Sequence, residues 1–246
     1  MKTYELFNKK GRRWLFFGRD PDKKDIVIDT NEYLIMENGK GLLLDPGGME
    51  IFPPVLSTIS REIKMDDIEI LFCSHQDPDI CSSLSLWFGV CKNMKVYVPS
   101  IWSLFIPHFG SDRTLYQIPD AGMTLPLGGS DELQLIPAHY CHSSGNFSLY
   151  DPTAKILFSG DIGAALLPKD NSGIFVEDFD RHVQYIEGFH KRWMPSKTAK
   201  NQWIERVRKL DINMMCPQHG AIYKKAEAEK FLDWFEELEV GSAENI

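Results

Sequence analysis

Short apolar runs separated by glycine and asparagine dominate the first third of the chain. The pairs Asn38–Gly39 and Gly47–Gly48 are turn-forming sequences that punctuate these runs. The runs predict four short β-strands, at residues 13–18, 25–28, 32–37 and 41–45. A helix is predicted over residues 53–63, because its opening prolines are tolerated in the first turn of a helix.

A continuous apolar run at residues 68–73 predicts a buried strand. Pro78 lies in the polar loop that follows and argues against a helix interior there, so the next helix is predicted over residues 80–92. The pattern then predicts five strands, at residues 95–98, 134–137, 146–150, 155–158 and 213–216, and three helices, at residues 177–192, 198–210 and 226–238. Strands followed by helices, twice over, predict two packed sheets covered outside by helices, in a single domain over residues 1–246.

Histidine and aspartate follow the predicted strands at four places. These residues are His75, Asp77 and Asp79 after the strand at 68–73, His139 and His142 after 134–137, Asp161 after 155–158, and His219 after 213–216. Loops at strand ends commonly hold functional residues on a rigid scaffold. Carboxylate oxygens combined with imidazole nitrogens suit iron, manganese or zinc. The chain therefore predicts a metal site built from four strand ends.

The spacing His75-x-Asp77-x-Asp79 strengthens the metal hypothesis, because alternate residues of an extended loop point to the same side. The competing interpretation is a polar surface turn, since Asp-Pro-Asp is also turn-forming. His139 competes with His142, either as a ligand or as a group just outside the ligands. The remaining histidines are predicted to be ordinary surface or core residues: His108, His182 and His190.

Composition narrows the class of protein. The net charge of -8 argues against a broad nucleic-acid surface, and the basic run at residues 9–13 is predicted to be a solvated turn. The chain has no apolar run of about 18 residues and no apolar stretch of signal-peptide length at its start, so no membrane association is expected. The five cysteines form no CxxC pair, which favours free thiols in a reducing cytoplasm.

Residues 66–84, DDIEILFCSHQDPDICSSL, resemble the first metal motif of flavodiiron proteins, whose metallo-β-lactamase domain carries a His-x-Glu-x-Asp-His loop. Residues 31–35 and 44–48 resemble the opening strands of that superfamily. Three later stretches resemble its second metal motif, its bridging-aspartate motif and its last histidine motif: residues 142–146, 157–161 and 216–220. The resemblance covers nearly the whole chain, in the family's order.

The resemblance implies an α/β fold, the metallo-β-lactamase αββα four-layer sandwich. It also implies two iron ions, alternating between Fe2+ and Fe3+ and joined by a bridging hydroxide, oxo or peroxide group. Six side chains would hold them: His75, Asp77 and His142 on one iron, Asp79 and His219 on the other, and Asp161 between the two. Asp45 matches a structural acid that lies behind the ligands, and no catalytic residue beyond the ligands is implied.

The chain departs from the family pattern at two positions. Asp77 stands where the family has glutamate, which keeps the charge but shortens the ligand by one methylene. Ile80 stands where the first motif usually ends in histidine, so the second metal is expected to have few protein ligands and an open face. An apolar Ile80 also cannot deliver a proton to a metal-bound peroxide, which favours a long-lived oxygen adduct.

Iron is favoured over zinc by the acid at Asp77, because zinc hydrolases of the superfamily have histidine there. Three carboxylates stabilise the higher oxidation state of a redox metal, whereas zinc has no redox chemistry. A zinc-dependent hydrolase of this fold stays open as an alternative, because metal availability can override ligand preference.

The resemblance implies chemistry with dioxygen, and nitric oxide is a second candidate gas. Flavodiiron enzymes add a flavodoxin-like domain whose flavin supplies electrons, and no FMN is expected in this chain. Two interpretations follow. The first is an oxygen or iron sensor in bacterial signalling, similar to the stand-alone oxygen-binding di-iron proteins and linked to chemotaxis. The second is an oxygen or nitric oxide reductase that uses a separate flavoprotein or rubredoxin donor.

Related metal domains pair head to tail, so a homodimer is expected. Four aromatic residues are candidates for such a surface: Trp87, Phe88, Trp102 and Phe105. The alternative is that these side chains pack in the core.

Overall fold

The first sheet contains seven strands in sequence order, β1 to β7. They are β1 (Thr3–Lys9), β2 (Arg12–Phe17), β3 (Glu32–Glu37), β4 (Lys40–Leu44), β5 (Ile68–Phe72), β6 (Lys95–Pro99) and β7 (Tyr116–Ile118). Strands β1 to β4 pair antiparallel, and β4 to β7 pair parallel. The computed structural model describes residues 1–18, 26–110, 113–129, 132–168, 171 and 173–242.

The second sheet contains six strands in the order β13-β12-β11-β10-β9-β8. They are β8 (Met123–Leu125), β9 (Leu133–Pro137), β10 (Phe147–Asp151), β11 (Ile156–Gly160), β12 (Met214–Pro217) and β13 (Tyr223–Lys224). Only the β11–β12 pair among these described strands is parallel. Both sheets therefore contain parallel strands, β4 to β7 in the first and β11 with β12 in the second.

Within the described residues, six α-helices flank the sheets: α1 (Phe52–Ile59), α2 (Pro78–Cys81), α3 (Leu84–Val90), α4 (Phe179–Trp193), α5 (Lys197–Val207) and α6 (Lys225–Glu237). Asp178 and Ser196 cap α4 and α5 by accepting backbone N–H groups, at Arg181 and Ala199. Pro78 opens α2, where its missing N–H does no harm.

Three apolar layers fix the order of these elements. Alternate residues of β4 show the principle, because Leu43 packs toward α1 and α3 while Leu42 and Leu44 pack toward the second sheet. The outer face of the second sheet packs against α4, α5 and α6 through residues such as Leu157 and Phe231. Helix, sheet, sheet and helix thus form the αββα four-layer sandwich that the sequence predicts.

The strand predicted at residues 25–28 is absent from the described residues 26–28, and other strands are missed. Residues 26 and 27 form a turn and a bend, with Ile26 89% exposed, and residue 25 lies outside the described residues. Strand β1 is missed because its outward positions are polar and largely exposed, so the run lacks a continuous apolar pattern. Strands β7 and β8 are missed because three residues are too few to show a period.

The basic run is not wholly solvated, contrary to the sequence prediction. Arg12 is fully buried, and its guanidinium donates from Nη1 to Asp151 Oδ1 at 2.8 Å and from Nη2 to Glu37 Oε2 at 2.5 Å. Trp14 Nε1 donates to the other Asp151 oxygen at 2.7 Å. Because Arg12 lies in the first sheet and Asp151 in the second, this buried ion pair joins the two sheets.

The four aromatic residues divide between the two interpretations, core packing and surface. Trp87 is fully buried and Phe88 is nearly so, and both pack beneath the first sheet. Trp102 is half-buried, whereas Phe105 is 59% exposed.

All five cysteines are buried free thiols, as predicted. In the described part of the chain, no helix is both long and apolar enough to cross a membrane.

Candidate metal centre

The predicted ligands meet where the carboxyl ends of the parallel strands face each other. His75 follows β5, Asp161 follows β11 and His219 follows β12. The two sheets are tied together at this edge, because Asn31 Nδ2 donates to Pro217 O and Gly220 O, at 2.9 Å each. These bonds from the start of β3 fix the turn that carries His219.

Four side chains form a first group of ligand atoms: His75, Asp77, His142 and Asp161, whose ligand atoms all lie within 4.8 Å of one another. Asp77 Oδ2 lies 2.8 Å from His142 Nε2 and 3.5 Å from His75 Nε2. Asp161 Oδ2 lies 3.5 Å from His142 Nε2 and 3.7 Å from His75 Nε2. Two imidazole nitrogens and two carboxylate oxygens therefore face one common point.

A second group lies on the other side of Asp161. His219 Nε2 is 3.4 Å from Asp79 Oδ2 and 3.4 Å from Asp161 Oδ1. The two oxygens of Asp161 thus face different groups, Oδ2 toward His75 and His142 and Oδ1 toward His219. One carboxylate shared in this way fits a bridge between two neighbouring cations.

Bonds to the far side of each ring aim His75 and His219 into the centre. Ser74 donates its backbone N–H to Asp45 Oδ1 at 2.7 Å and its hydroxyl to Asp45 Oδ2 at 2.5 Å, so its oxygen accepts from His75 Nδ1 at 2.9 Å. His219 Nδ1 donates to Asp29 O at 2.5 Å. Both rings therefore keep Nε2 free for a ligand role, which is the usual arrangement behind metal-bound histidine.

His142 has a strained backbone. Its φ is +77°, in the left-handed region that non-glycine residues rarely adopt. The turn is held by Asn146 Nδ2, which donates to Cys141 O at 2.7 Å. Trp193 contacts the ring edge-on, with centroids 5.1 Å apart. Strain that the surroundings maintain is characteristic of functional sites.

The residues present fit two metal ions. His75 Nε2 and Asp161 Oδ1 are buried, yet neither has a hydrogen-bond partner within the described residues. Buried polar atoms without partners are rare and call for a ligand. The donor set of three imidazoles and three carboxylates contains no thiolate, which suits iron better than a soft metal.

Without metal, the raised pKa values of His75 and His219 keep both imidazoles protonated at neutral pH. Burial lowers the pKa of His75, but the charges of Asp161 and Asp77 outweigh burial and raise this pKa to about 9. Burial likewise lowers the pKa of His219, and Asp161 and Asp79 raise it to about 9. Burial raises the pKa of Asp161, but the charges of His75 and His219 hold it well below its usual range.

Metal binding at pH 7 is therefore expected to release about two protons per protein, since only neutral imidazole is a ligand. Affinity should rise as the pH increases toward 9. The folding stability of the metal-free protein should instead fall as the pH rises. The raised pKa values of His75 and His219 stabilise the fold fully below pH 6.5, and this contribution is lost as the pH rises through 9. Calorimetry in buffers of different protonation enthalpy measures the release, and a value near zero would contradict it.

Three further predicted residues take different places. Asp45 contacts Ser74 rather than the centre, and burial raises its pKa to about 7. Ile80 is fully buried in the apolar layer against α1 and α3. His139 Nε2 lies 2.8 Å from Asp120 O and its ring packs on Phe147, so none of these contacts is to a predicted ligand, and its role beside the metal stays a prediction.

The other histidines are as ordinary as predicted. His108 is exposed, whereas His182 and His190 are core residues. His190 Nδ1 donates to Ile186 O at 2.7 Å, and its Nε2 accepts from the backbone N–H of Gly163 at 2.9 Å. Burial lowers the pKa of His190 to about 4, so this ring supports α4 as a neutral imidazole.

Two polar residues beside the centre escaped the sequence analysis. Gln76 Nε2 donates to Asp77 Oδ1 at 2.9 Å, and Ser143 Oγ donates to Gln76 Oε1 at 2.6 Å. Each sits next to a predicted ligand in sequence. Their positions next to ligands were the signal in the sequence that could have found them. The contact between Ser143 and Gln76, which are 67 positions apart, depends on the fold.

Comparisons with known proteins agree with this geometry. The profile of the family described as ODP family beta lactamase matches residues 28–220. A solved structure of the apo state of the chemotaxis sensor ODP from T. denticola is 42% identical, with a TM-score of 0.89, and the match covers 99% of this chain and 97% of that one. A second structure, of a peroxy diiron species of chemotaxis sensor ODP, is 40% identical, with a TM-score of 0.88, and covers 100% and 98%.

More distant relatives are longer. A flavo-diiron protein, FprA2 of Clostridium acetobutylicum, is 21% identical over 87% of this chain and 57% of its own length. An uncharacterised protein of Methanocaldococcus jannaschii is 24% identical over 83% of this chain and 52% of its own length. The chain thus spans about half the length of the curated relatives it matches. The family match and the near-complete match to the two ODP structures show that this chain belongs to the ODP family of β-lactamase-fold proteins.

Proposed function

We propose that this protein is a non-haem di-iron protein that binds dioxygen and acts as an oxygen or iron sensor. The observation that carries the proposal is the placement of Asp161, whose two oxygens face two separate sets of ligands. The two ODP structures support it, since one is described as a peroxy diiron species and both as chemotaxis sensors. The whole protein's activity and partners are inferred from this resemblance.

His75, Asp77 and His142 would hold one iron, Asp79 and His219 the other, and Asp161 both. Two ferrous ions held there would supply the electrons for chemistry with dioxygen. The chain's own residues orient and protect the site. Ser74 and Asp29 fix two imidazoles, and Trp193 covers an edge of His142.

The sensor role is favoured over rapid turnover by two features of the chain. The proton-bearing histidine that usually ends the first motif is replaced by Ile80, which is fully buried among apolar side chains. Asp77 also replaces the longer glutamate of flavodiiron proteins. Without a proton donor at this position, turnover of dioxygen at the centre would be slow, which would suit a protein that reports oxygen rather than consumes it.

The proposal is tested by loading metal-free protein with Fe2+ under anaerobic conditions. We expect two irons per chain and, on exposure to air, a new visible absorption that persists for minutes. One iron per chain, a preference for zinc with hydrolase activity, or no change on exposure to air would contradict it. Sustained oxygen or nitric oxide consumption with an added flavoprotein or rubredoxin would instead establish a reductase.

We further propose a cytoplasmic protein that signals through a chemotaxis partner and forms a homodimer. Free buried thiols suit a reducing compartment. The exposed apolar side chains Ile101, Leu104 and Phe105 offer a surface for a protein contact. Sedimentation at micromolar concentration tests the dimer, and a monomer at that concentration would contradict it.

A further inference from the structure

A chain of hydrogen bonds runs from Asp77 to the protein surface. Gln76 Nε2 donates to Asp77 Oδ1 at 2.9 Å, and Gln76 Oε1 accepts from Ser143 Oγ at 2.6 Å. The same Ser143 oxygen accepts from Trp102 Nε1 at 3.2 Å. Trp102 lies in a 3-10 turn (Ser100–Trp102) whose neighbours are exposed. Three side chains from three separate loops thus connect a predicted ligand to the solvent.

The first link decides how Asp77 can bind a metal. Asp77 Oδ2 faces His75 and His142, whereas Oδ1 is held outward by Gln76. A carboxylate with one oxygen held in this way presents a single oxygen to the centre. Aspartate in place of glutamate makes this restraint effective, because a shorter side chain has fewer ways to turn.

The outer end of the chain is closely fitted. A Cβ added at Gly145 would lie 2.2 Å from Ile101 Cγ2 and 3.0 Å from Trp102 Nε1, so only glycine lets this turn approach. Trp102 Nε1 also donates to Gly145 O at 3.2 Å. Beyond it, Leu104 is 81% exposed and Phe105 is 59% exposed. A displacement at Ser143 therefore reaches an exposed apolar segment through direct contacts.

We propose that Gln76, Ser143 and Trp102 are positioning residues: they limit Asp77 to one metal-facing oxygen and carry movement of that carboxylate to the exposed segment at residues 100–105. The use of this segment as the output of a sensor rests on the proposed function. The positioning of Asp77 does not rest on the proposed function, because it concerns only how the chain holds a metal ion.

Co2+ bound to metal-free protein tests the positioning, since its visible absorption reports coordination number without oxygen chemistry. Gln76→Leu frees Asp77 Oδ1, so we expect a changed Co2+ spectrum and an affinity about 10- to 100-fold weaker. Ser143→Ala removes the next link and is expected to weaken affinity about 2- to 10-fold. If Gln76→Leu does not fold, Ser143→Ala and Trp102→Phe carry the test.

The chain offers a matched control. Trp203 Nε1, in α5, donates to Ser148 Oγ, in β10, at 3.1 Å, which is the same kind of tryptophan–serine bond with no contact to Asp77 among the described hydrogen bonds. Ser148→Ala should leave the Co2+ spectrum and affinity unchanged, even if stability falls. Equal Co2+ spectra and affinities for Ser143→Ala, Gln76→Leu and wild type would overturn the proposal.

Transmission is tested by 19F NMR of protein that contains fluorotryptophan, with Trp102→Phe to assign its resonance. Zn2+ loading of the wild type should shift the Trp102 resonance, and Gln76→Leu or Gly145→Ala should abolish at least half of that shift. A Trp102 resonance that does not shift when the wild type binds Zn2+, or one that shifts equally in Gln76→Leu, would overturn the proposal. Failure of the wild type to react with oxygen would refute the sensor role but leave these readouts unaffected.

Discussion

Replacing Asp161 with alanine is expected to abolish binding of a metal pair. Asp161 is the only one of the six predicted ligands whose two oxygens face different histidine groups, with Oδ2 3.5 Å from His142 Nε2 and Oδ1 3.4 Å from His219 Nε2. Its loss removes one anionic ligand from each position at once. With two neighbouring cations no longer bridged, their mutual repulsion also increases. We expect at most one ion per chain, bound at least about 100-fold more weakly.

The measurement is metal content after anaerobic loading and desalting, together with an affinity titration. Asp233→Ala is a suitable control, because Asp233 is an exposed aspartate that contacts Arg208 on the surface. That variant should bind two ions like the wild type. If Asp161→Ala retained two tightly bound ions, the shared carboxylate would have no role in the centre and the di-iron assignment would fail.

The largest effect on stability is expected from Asp151→Ala. Asp151 is fully buried and accepts from Arg12 Nη1 at 2.8 Å, from Trp14 Nε1 at 2.7 Å and from the backbone N–H groups of Thr153 and Ala154. Its removal takes the Asp151 carboxylate away from the fully buried Arg12, which keeps its ion pair with Glu37. Breaking a buried pair of this kind costs about 3–5 kcal/mol.

Urea unfolding of the metal-free protein measures this loss, provided that the slope of the transition is unchanged. The matched comparison is Glu62→Ala, which breaks a partly exposed pair with Arg13 at 3.4 Å. That pair should contribute no more than about 1 kcal/mol. Losses of similar size for the two variants would show that the contact between Arg12 and Asp151 does not join the sheets as described.

The candidate centre was largely predictable because its ligands obey a local rule. His75, Asp161 and His219 each follow a short apolar strand, and parallel strands bring such ends to one edge. The features that could not be predicted depend on the fold rather than on local sequence. Ser143 meets Gln76 across 67 positions. His139, three residues before His142, has the same local context but turns toward Asp120 instead.

In the fold, too, some elements could be predicted from local sequence and others could not. Strands β3, β4 and β5 were predictable, because two buried faces leave a continuous apolar run. Strand β1 was not, because it lies at the sheet edge and exposes polar residues. A basic run such as residues 9–13 usually forms a solvated turn, so the sequence does not predict that Arg12 is buried. Its burial depends on the acidic partners Glu37 and Asp151, which are 25 and 139 positions away.

The five-residue loop between β5 and α2 supplies His75 and Asp77 to one side of Asp161, and the first turn of α2 supplies Asp79 to the other. The first cation to arrive would restrict the motion that this segment keeps, and the conformational entropy lost in doing so need not be lost again for the second. Uptake of the two ions is thus expected to be cooperative, with few half-filled molecules at any free iron concentration. Such a protein would respond to iron supply over a narrow concentration range, changing between empty and full.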